Sequence, residues 1–295
     1  MHKHSLLGLS AGLAAASIWG GMYVVSKVVL DVIPPFALLA SRLVLGIIAL
    51  GMVIAFRPKT QMTRSQFWQI FFVGFVGYGV SLGFQFVGTK LSTASNGALV
   101  TSATPAFVLL FAPFLLREKI TARRLIALVI STLGVVAVID PRNAELSPSL
   151  FWGNLSLLAA ALTWALYSVL VRKVSQKGDL LTASAIMLAG GIPSSLLFGA
   201  WEIHSQGMGE ITLGVVVGIL FLGIISTAIA MFMWNYAFAE LPAAVASLTF
   251  FAQPAVGTLL GWAFLHEKIT PLFLFGGLLI GTGLIIASQD KALDK

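Results

Sequence analysis

The chain has 295 residues, of which 58% are hydrophobic and 10% are charged, whereas an ordinary soluble domain carries about 25% charged residues. A soluble chain of this length needs more polar surface than 18 Lys and Arg with 11 Asp and Glu can supply. The composition therefore excludes a soluble globular enzyme and places the excess apolar surface against lipid. The net charge of +7 would indicate a nucleic-acid partner in a soluble protein. Here the basic residues fall in short loops between apolar runs, where they determine topology instead.

Continuous apolar windows between charged or proline-containing breaks predict an all-α integral membrane protein with ten transmembrane helices. A span needs roughly 20 apolar residues, so ten spans leave only short connections. The first window resembles a signal peptide, but it stays apolar to Leu30, too long for a signal core, and we interpret it as an uncleaved span. The predicted spans, in chain order, are residues 6–30, 35–56, 66–88, 93–116, 121–139, 151–171, 180–201, 212–238, 242–265 and 271–288.

The basic residues predict an inner (cytoplasmic) membrane protein with both termini in the cytoplasm. Cytoplasmic loops carry an excess of Lys and Arg. With the N-terminus inside, Lys27, Lys90, Arg142 and Lys268 fall outside, and Arg42 lies within the second span. The other basic residues all fall inside: Lys3, Arg57, Lys59, Arg64, Arg117, Lys119, Arg123, Arg124, Arg172, Lys173, Lys177, Lys291 and Lys295.

The two halves of the chain repeat one another. Residues 14–19 (AAASIW) match 159–164 (AAALTW), and residues 118–121 (EKIT) recur at 267–270. We therefore predict two five-helix units, residues 1–145 and 146–295. Because five is odd, tandem copies enter the membrane from opposite sides, which gives the inverted-topology repeat typical of transporters.

The ordered and duplicated motifs of the chain resemble a known family. They are Ser17-Ile18-Trp19-Gly20-Gly21 in the first span, Arg117-Glu118 and His266-Glu267 at the ends of the fourth and ninth, and the glycines of the fifth and tenth. Over essentially the whole chain the sequence is similar to the ten-helix transporters of the drug/metabolite transporter superfamily, which are built from two EamA-type repeats. The resemblance implies export of amino acids and other metabolites, and within the superfamily the chain is most similar to the bacterial aromatic amino acid exporters. It also implies a cavity formed by spans one, three, four, six, eight and nine.

Two tryptophans lie unusually deep in the predicted membrane. Trp19 and Trp164 each lie about thirteen residues into a span, which is roughly 20 Å along the helix, and they are repeat partners. Tyr23 follows Trp19 by four residues and Tyr167 follows Trp164 by three, so each pair shares a helical face. A buried indole or phenol needs a hydrogen-bond partner that lipid cannot supply. These faces line a substrate cavity or pack against other helices.

Other uncharged polar residues fall at a similar depth. The repeat pairs Tyr78 with Thr227, and Thr104 with Gln253. Binding sites of inverted-repeat transporters lie near the bilayer midplane, between the halves. We therefore predict that these four residues bind substrate together with the two deep tryptophans and their neighbouring tyrosines.

Two prolines follow members of this layer. Pro105 and Pro254 occupy matching positions in the two halves. A proline inside a helix frees a carbonyl one turn earlier, which protein, water or ligand must satisfy in a membrane. The sequence predicts hinges at both prolines, with a simple packing kink as the alternative.

The remaining tryptophans lie within three turns of a predicted helix end and are expected to anchor the protein at the membrane interface. They are Trp68, Trp152, Trp201, Trp234 and Trp262.

Arg42 is the one formal charge well inside a predicted span. It could receive a substrate carboxylate. Alternatively, it pairs with helix carbonyls as a structural group, and we did not include it among the predicted binding residues.

All acidic residues and histidines fall at or beyond the ends of the predicted spans. No buried carboxylate is therefore available for proton coupling, and we expect facilitated export of a zwitterionic or apolar-bodied solute by alternating access. The alternative is a proton-coupled exporter of cationic drugs or other metabolites. A membrane-embedded enzyme is disfavoured because the sequence offers no cluster of catalytic or metal-ligating residues. We expect no cofactor, no nucleic-acid partner and no required oligomer.

Overall fold

The computed structural model describes residues 3–58, 61–92, 97, 100–139, 150–175, 179–265 and 271–289, and within these ranges it is helical without a strand. The helices are α1 (Lys3–Leu30), α2 (Pro35–Ala55), α3 (Arg64–Leu91), α4 (Thr104–Leu116), α5 (Ala122–Ile139), α6 (Phe151–Ser175), α7 (Leu180–Gln206), α8 (Leu213–Glu240), α9 (Ala243–Leu248, Thr249–Phe251 and Ala252–Leu265) and α10 (Pro271–Ser288).

Six of the described helices are long and apolar enough to cross a membrane, namely α1, α2, α3, α6, α7 and α8. Shorter apolar stretches occupy Thr104–Leu116, Ala243–Gly257 and Leu274–Ala287. Large apolar side chains such as Phe56, Phe114 and Leu213 are exposed on the outer surface, as expected where lipid replaces water. An all-helical, multi-pass membrane protein is thus confirmed, whereas the count of ten spans stays a prediction.

Local sequence explains where several helices begin. Pro35 and Pro271 are the first residues of α2 and α10, where the missing proline N–H costs nothing. Thr63 caps α3: its hydroxyl accepts a hydrogen bond from Gln66 N at 3.2 Å, and Gln66 Oε1 accepts one from Thr63 N at 2.9 Å. This reciprocal pair satisfies two of the amides that every helix N-terminus leaves free.

One predicted span is interrupted and another needs correction. Within the fourth predicted span, residues 93–116, residues 97, 100 and 101 are helical and a turn at residues 102–103 precedes α4, while residues 93–96, 98 and 99 lie outside the described residues. The seventh span continues past residue 201 to Gln206. Glu202 therefore lies inside a helix and not at its end, and it accepts a hydrogen bond from Phe36 N at 2.7 Å. Its carboxylate offsets the positive N-terminus of α2.

Two helices contain a wide, π-helical turn that the sequence did not predict. The π-helical segments are Phe75–Ser81 in α3 and Phe221–Ile229 in α8. They include Tyr78 and Thr227, the residues that the sequence repeat had paired. Such segments insert a residue into the helical repeat and leave carbonyls free for other partners, and they are frequent at functional sites.

The helices predicted to form the cavity do contact one another. Helix α1 packs against α8 and α9, and α6 packs against α3 and α4. The pairs α2–α7 and α5–α10 are formed by the remaining helices. Helices α1 and α9 approach closely at Gly20, where an added Cβ would lie 2.8 Å from the carbonyl oxygen of Gln253. Only glycine fits there, so Gly20 allows these two cavity helices to approach each other closely.

Candidate functional site

A small cavity lies where α1, α3, α4, α6, α8 and α9 meet. Its volume is about 30 Å³, enough for one or two water molecules. Four of the predicted binding residues line it together: Trp19, Thr104, Trp164 and Gln253. These four come from both halves of the chain, as the repeat argument required of a shared site.

Aromatic rings form one side of this cavity. The rings of Trp19 and Trp164 meet edge to face, with centroids 5.7 Å apart and an interplanar angle of 80°. Phe250 also lines the cavity, and its centroid lies 6.1 Å from that of Trp19. Edge-to-face and tilted pairs at these distances are the favoured aromatic geometries. A planar or apolar solute would meet a preformed aromatic surface here.

Trp234 corrects one prediction. We expected it to anchor the protein at the membrane interface, but its side chain is 0% exposed and its ring lies 5.3 Å from Trp19 and 6.3 Å from Trp164. Trp234 follows the π-helical segment Phe221–Ile229 of α8, and an inserted residue rotates later side chains relative to a regular helix. Counting residues from the predicted helix end could not detect that rotation. By contrast, Trp201 is 63% exposed, as expected for a lipid-facing position.

The three clustered tryptophans differ in how their N–H groups are satisfied. Trp19 Nε1 donates to the carbonyl oxygen of Ser226 at 3.0 Å, within the π-helical segment of α8. Trp234 Nε1 donates to Ser168 Oγ at 3.0 Å. Trp164 Nε1 is buried without a hydrogen-bond partner among the described residues. Trp164 therefore retains a free donor at the cavity.

Two further polar atoms at the cavity share this property. Thr104 Oγ1 and Gln253 Oε1 are also buried without a hydrogen-bond partner in the described part of the chain. Such a buried group costs about 1–3 kcal/mol when it stays unpaired. Three unpaired groups around one cavity, able between them to donate and to accept, are the arrangement expected of a polar ligand site.

Tyr78 and Tyr167 lie beside the cavity without lining it. Their hydroxyl oxygens are 2.5 Å apart, and Tyr167 donates to Asn235 Oδ1 at 2.6 Å. Asn235 Nδ2 in turn donates to Ser184 Oγ at 3.1 Å. The ring of Tyr167 lies 4.8 Å from that of Trp164. These two predicted binding residues thus belong to a cluster in which the hydroxyl groups are hydrogen-bonded. The cluster packs against Trp164 through the ring of Tyr167.

Thr227 is engaged by Arg42. Its hydroxyl donates to the carbonyl oxygen of Leu222 at 2.7 Å and accepts from Arg42 Nε at 2.8 Å. Thr227 therefore does not reach the cavity. The side chain of Tyr23 lies outside the described residues.

The two predicted hinge prolines lie in different settings. Pro105 is the second residue of α4, where a missing N–H is tolerated. Pro254 lies inside α9, three residues after the end of the 3₁₀ turn Thr249–Phe251, which interrupts the regular α-helical hydrogen bonding. A hinge at either proline stays a prediction.

The cavity helices are joined at the end that the sequence places in the cytoplasm. Glu118 accepts from Arg172 Nε at 3.1 Å, from Arg124 Nη1 at 3.3 Å and from Ala243 N, the start of α9, at 2.9 Å. Arg172 also donates to carbonyls at the end of α8, among them that of Phe238 at 3.1 Å. We call Glu118, Arg124 and Arg172 the Glu118 cluster. It connects the α4–α5 loop to α6, α8 and α9.

A second, larger cavity of about 390 Å³ opens among the ends of α3, α6 and α7 on the same side. Lys173 and Asp179 line it. Burial raises the pKa of the Asp179 carboxyl, but hydrogen bonds from the Thr182 hydroxyl and amide and the nearby Arg57 outweigh burial, so the pKa is below its usual value. This carboxylate caps α7 in its charged form.

The structure offers no site for a metal ion within the described ranges, where no group of three or more His, Cys, Asp and Glu side chains comes together. The cavity chemistry there depends on neutral hydrogen-bonding groups and aromatic rings.

Comparison with known proteins identifies relatives over nearly the full chain. The sequence profile of the EamA-like transporter family matches residues 6–139 and 151–289. The uncharacterized transporter YoaV of Bacillus subtilis (strain 168) is 24% identical over 275 residues, covering 93% of this chain and 94% of the relative. Protein PecM of Dickeya dadantii (strain 3937) is 26% identical over 293 residues, covering 95% and 91%.

A solved crystal structure of a protein has a similar fold. It superposes with a TM-score of 0.80 at 20% sequence identity, covering 95% of this chain and 96% of the other. At that identity the likeness concerns the arrangement of helices alone.

Proposed function

Because the chain belongs to the EamA-like transporter family, we propose that this membrane transporter exports aromatic or neutral amino acids and related metabolites by alternating access. The members of this family are transporters and not enzymes, and the relative YoaV is named as a transporter. One observation carries the choice of substrate. The central cavity combines an aromatic wall with three buried polar atoms that have no partner among the described residues.

The chemistry of those atoms fits a zwitterion. A substrate carboxylate can accept hydrogen bonds from Trp164 Nε1 and the Thr104 hydroxyl, and an ammonium group can donate to Gln253 Oε1. An aromatic or other apolar side chain would then stack on Trp19 and Phe250. Hydrogen bonds to charged groups contribute about 1.5–3 kcal/mol each. A phosphorylated solute is disfavoured, because no Lys or Arg is found among the residues that line the cavity.

The size of the cavity supports a transport cycle with moving helices. A volume of about 30 Å³ is far below the roughly 300 Å³ of a small-molecule pocket, so a substrate enters only when the helices separate. The Glu118 cluster closes the end predicted to be cytoplasmic. Loading from the cytoplasm therefore requires the Glu118 cluster to break, and release requires the opposite end to open.

We infer that export is facilitated diffusion along the substrate gradient. No acidic residue lines the central cavity, and Glu202, the buried acid of α7, is hydrogen-bonded to the start of α2. In this proposal the protein spans the inner membrane ten times, in two inverted units of residues 1–145 and 146–295. Both termini lie on the cytoplasmic side, and transport does not require an oligomer. The two separate family matches support the duplication. A proton-coupled exporter of cationic drugs is the alternative.

Counterflow uptake into proteoliposomes tests this function. Vesicles containing the purified protein are preloaded with tryptophan, phenylalanine, threonine or a cationic dye, at equal pH on both sides. We expect uptake of labelled aromatic or neutral amino acids, its loss in Trp164→Ala, and its retention in Trp201→Ala, which removes a lipid-facing tryptophan instead. Uptake of the dye alone, or uptake only after a proton gradient is imposed, would overturn the proposal in favour of the coupled drug exporter.

A further inference from the structure

Arg42 lies fully buried on α2 among uncharged groups. Its Nε donates to Thr227 Oγ1 at 2.8 Å and its Nη2 donates to Ser226 Oγ at 3.2 Å. Both terminal nitrogens lie 3.7 Å from Met22 Sδ, and the guanidinium carbon lies 5.1 Å from the centroid of the Phe86 ring. None of these partners carries a negative charge.

The charge of Arg42 is therefore not neutralised by an acidic group in the described part of the chain. The ion pairs found there involve Arg57, Arg124 and Arg172 only. An arginine side chain does not lose its proton in proteins. Dipolar partners attenuate the field of a buried cation but do not cancel its net charge, so the field acts over short distances through the surrounding protein.

This charge lies directly behind the wall of the central cavity. Met22 contacts the guanidinium and also lines the cavity. Ser226 makes a second connection: its hydroxyl accepts from Arg42, and its backbone carbonyl accepts from the cavity tryptophan Trp19. Arg42 itself is not among the residues that line the cavity. A solute in the cavity is thus separated from the positive charge by the thickness of one side chain.

We propose that Arg42 makes the central site select by charge, excluding cations and favouring a solute whose carboxylate faces Met22. This rests on the proposed function, because it concerns the same cavity and narrows its substrates to zwitterions and monoanions. In this role Arg42 acts on the solute through its electric field. It neither contacts the substrate carboxylate nor serves only to stabilise the fold. The hydrogen bonds to Thr227 and Ser226 fix the position of the charge.

The expected size of the effect follows from the geometry. One side chain in van der Waals contact on both sides places a solute charge about 8 Å from the guanidinium. Across that distance, with an effective dielectric constant of about 20, one unit of charge changes affinity by about 30-fold. The field therefore suffices to determine which charge state enters.

Met22 allows the charge to be neutralised without removing Arg42. In Met22→Glu a carboxylate takes the place of the sulfur and pairs with the guanidinium. Met22→Gln has the same shape and no charge, so it is the matched control for every effect of altering the cavity wall. Both variants keep Arg42 and its bonds to α8, but the Glu carboxylate would itself lie on the cavity wall. Arg42→Gln is therefore measured beside them, because it removes the cation without adding an anion; an anion preference that is unchanged in Arg42→Gln would refute the role of Arg42.

The first readout does not depend on any substrate. The chain has no cysteine, so Ala161→Cys places a single thiol on the cavity lining. We compare its reaction rates with an anionic and a cationic methanethiosulfonate reagent, the sulfonatoethyl and trimethylammonioethyl compounds. We expect the anionic reagent to be favoured in Met22→Gln. Because the two reagents differ by two unit charges, the anion-to-cation rate ratio should fall by about 1,000-fold in Met22→Glu, the square of the effect of one charge. Equal ratios in the two variants would refute the proposal.

The second readout uses ligands that share one ring and differ in charge. Phenylalanine, N-acetylphenylalanine and phenylalaninamide are a zwitterion, an anion and a cation at neutral pH. As inhibitors of counterflow, the amide should gain about 30-fold relative to phenylalanine in Met22→Glu compared with Met22→Gln. A shifted thiol ratio without any phenylalanine counterflow would refute the proposed function and leave the role of Arg42 standing. Phenylalanine counterflow with an unchanged thiol ratio would refute the role of Arg42 alone.

Discussion

Replacing Thr104 by valine should stabilise the protein and weaken its function. The Thr104 hydroxyl is buried at the cavity with no hydrogen-bond partner among the described residues. An unpaired buried hydroxyl costs about 1–3 kcal/mol. Valine has nearly the same shape and a similar helix propensity, so Thr104→Val removes the cost without opening a space.

The same substitution at Thr227 is the matched control. The Thr227 hydroxyl has two partners, the carbonyl oxygen of Leu222 at 2.7 Å and Arg42 Nε at 2.8 Å. Thr227→Val leaves the buried Arg42 Nε without this acceptor. We therefore expect Thr104→Val to raise the free energy of unfolding by about 1 kcal/mol and Thr227→Val to lower it by about 1–3 kcal/mol.

Thermal unfolding of the purified variants measures both effects. For a chain of this size about 1 kcal/mol corresponds to a shift of roughly 2–4 °C in Tm. Substrate binding should nevertheless weaken by about tenfold in Thr104→Val, because one hydrogen bond to the carboxylate is lost. Destabilisation by Thr104→Val would show that its hydroxyl has a partner in the folded protein, and the reasoning about the site would be wrong.

Three further outcomes follow from the described contacts. Tyr78→Phe and Tyr167→Phe should each lower the free energy of unfolding by about 0.5–2 kcal/mol. Because the two hydroxyls share one hydrogen bond, the double variant should lose less stability in thermal unfolding than the two single losses added together, and full additivity would contradict this. Glu118→Gln should weaken its pairing with Arg172 and increase labelling of a cavity thiol from the cytoplasmic side, and unchanged labelling would show that the Glu118 cluster is not a closure. Because the pKa of Asp179 is lowered in the folded protein, the wild type should be more stable than Asp179→Asn at neutral pH. This difference in stability should vanish as the pH falls from about 4 through the folded pKa, and a difference that persists in acid would contradict the assigned cause.

The sequence predicted the composition of the cavity better than the orientation of its walls. Counting residues from helix starts singled out Trp19 and Trp164, and the repeat added Thr104 and Gln253, each of which directly precedes a proline; all four line the cavity. Depth alone could not show which of them keep unpaired atoms. That property depends on the neighbouring helices.

Three residues whose orientation the sequence did not predict, Tyr78, Thr227 and Trp234, lie in or beside the π-helical segments. An inserted residue rotates all later side chains relative to the regular repeat. Tyr78 and Thr227 lie within Phe75–Ser81 and Phe221–Ile229, and they bond to Tyr167 and Arg42 instead of lining the cavity. Trp234 follows the second segment and is turned into the aromatic cluster. No local sequence pattern used here predicts a π-helical turn, so these orientations could only be learned from the structure.

Equilibrium binding of labelled phenylalanine to the purified protein tests the central claim most directly. The claim is that the cavity lined by Trp19, Trp164 and Gln253 holds the transported amino acid. Gln253→Leu removes the acceptor for the substrate ammonium, and Gln69→Leu alters an exposed glutamine on α3 as the control. We expect at least a tenfold rise in Kd for Gln253→Leu and none for Gln69→Leu. An unchanged Kd in Gln253→Leu, with phenylalanine still bound, would place the substrate site elsewhere in the protein.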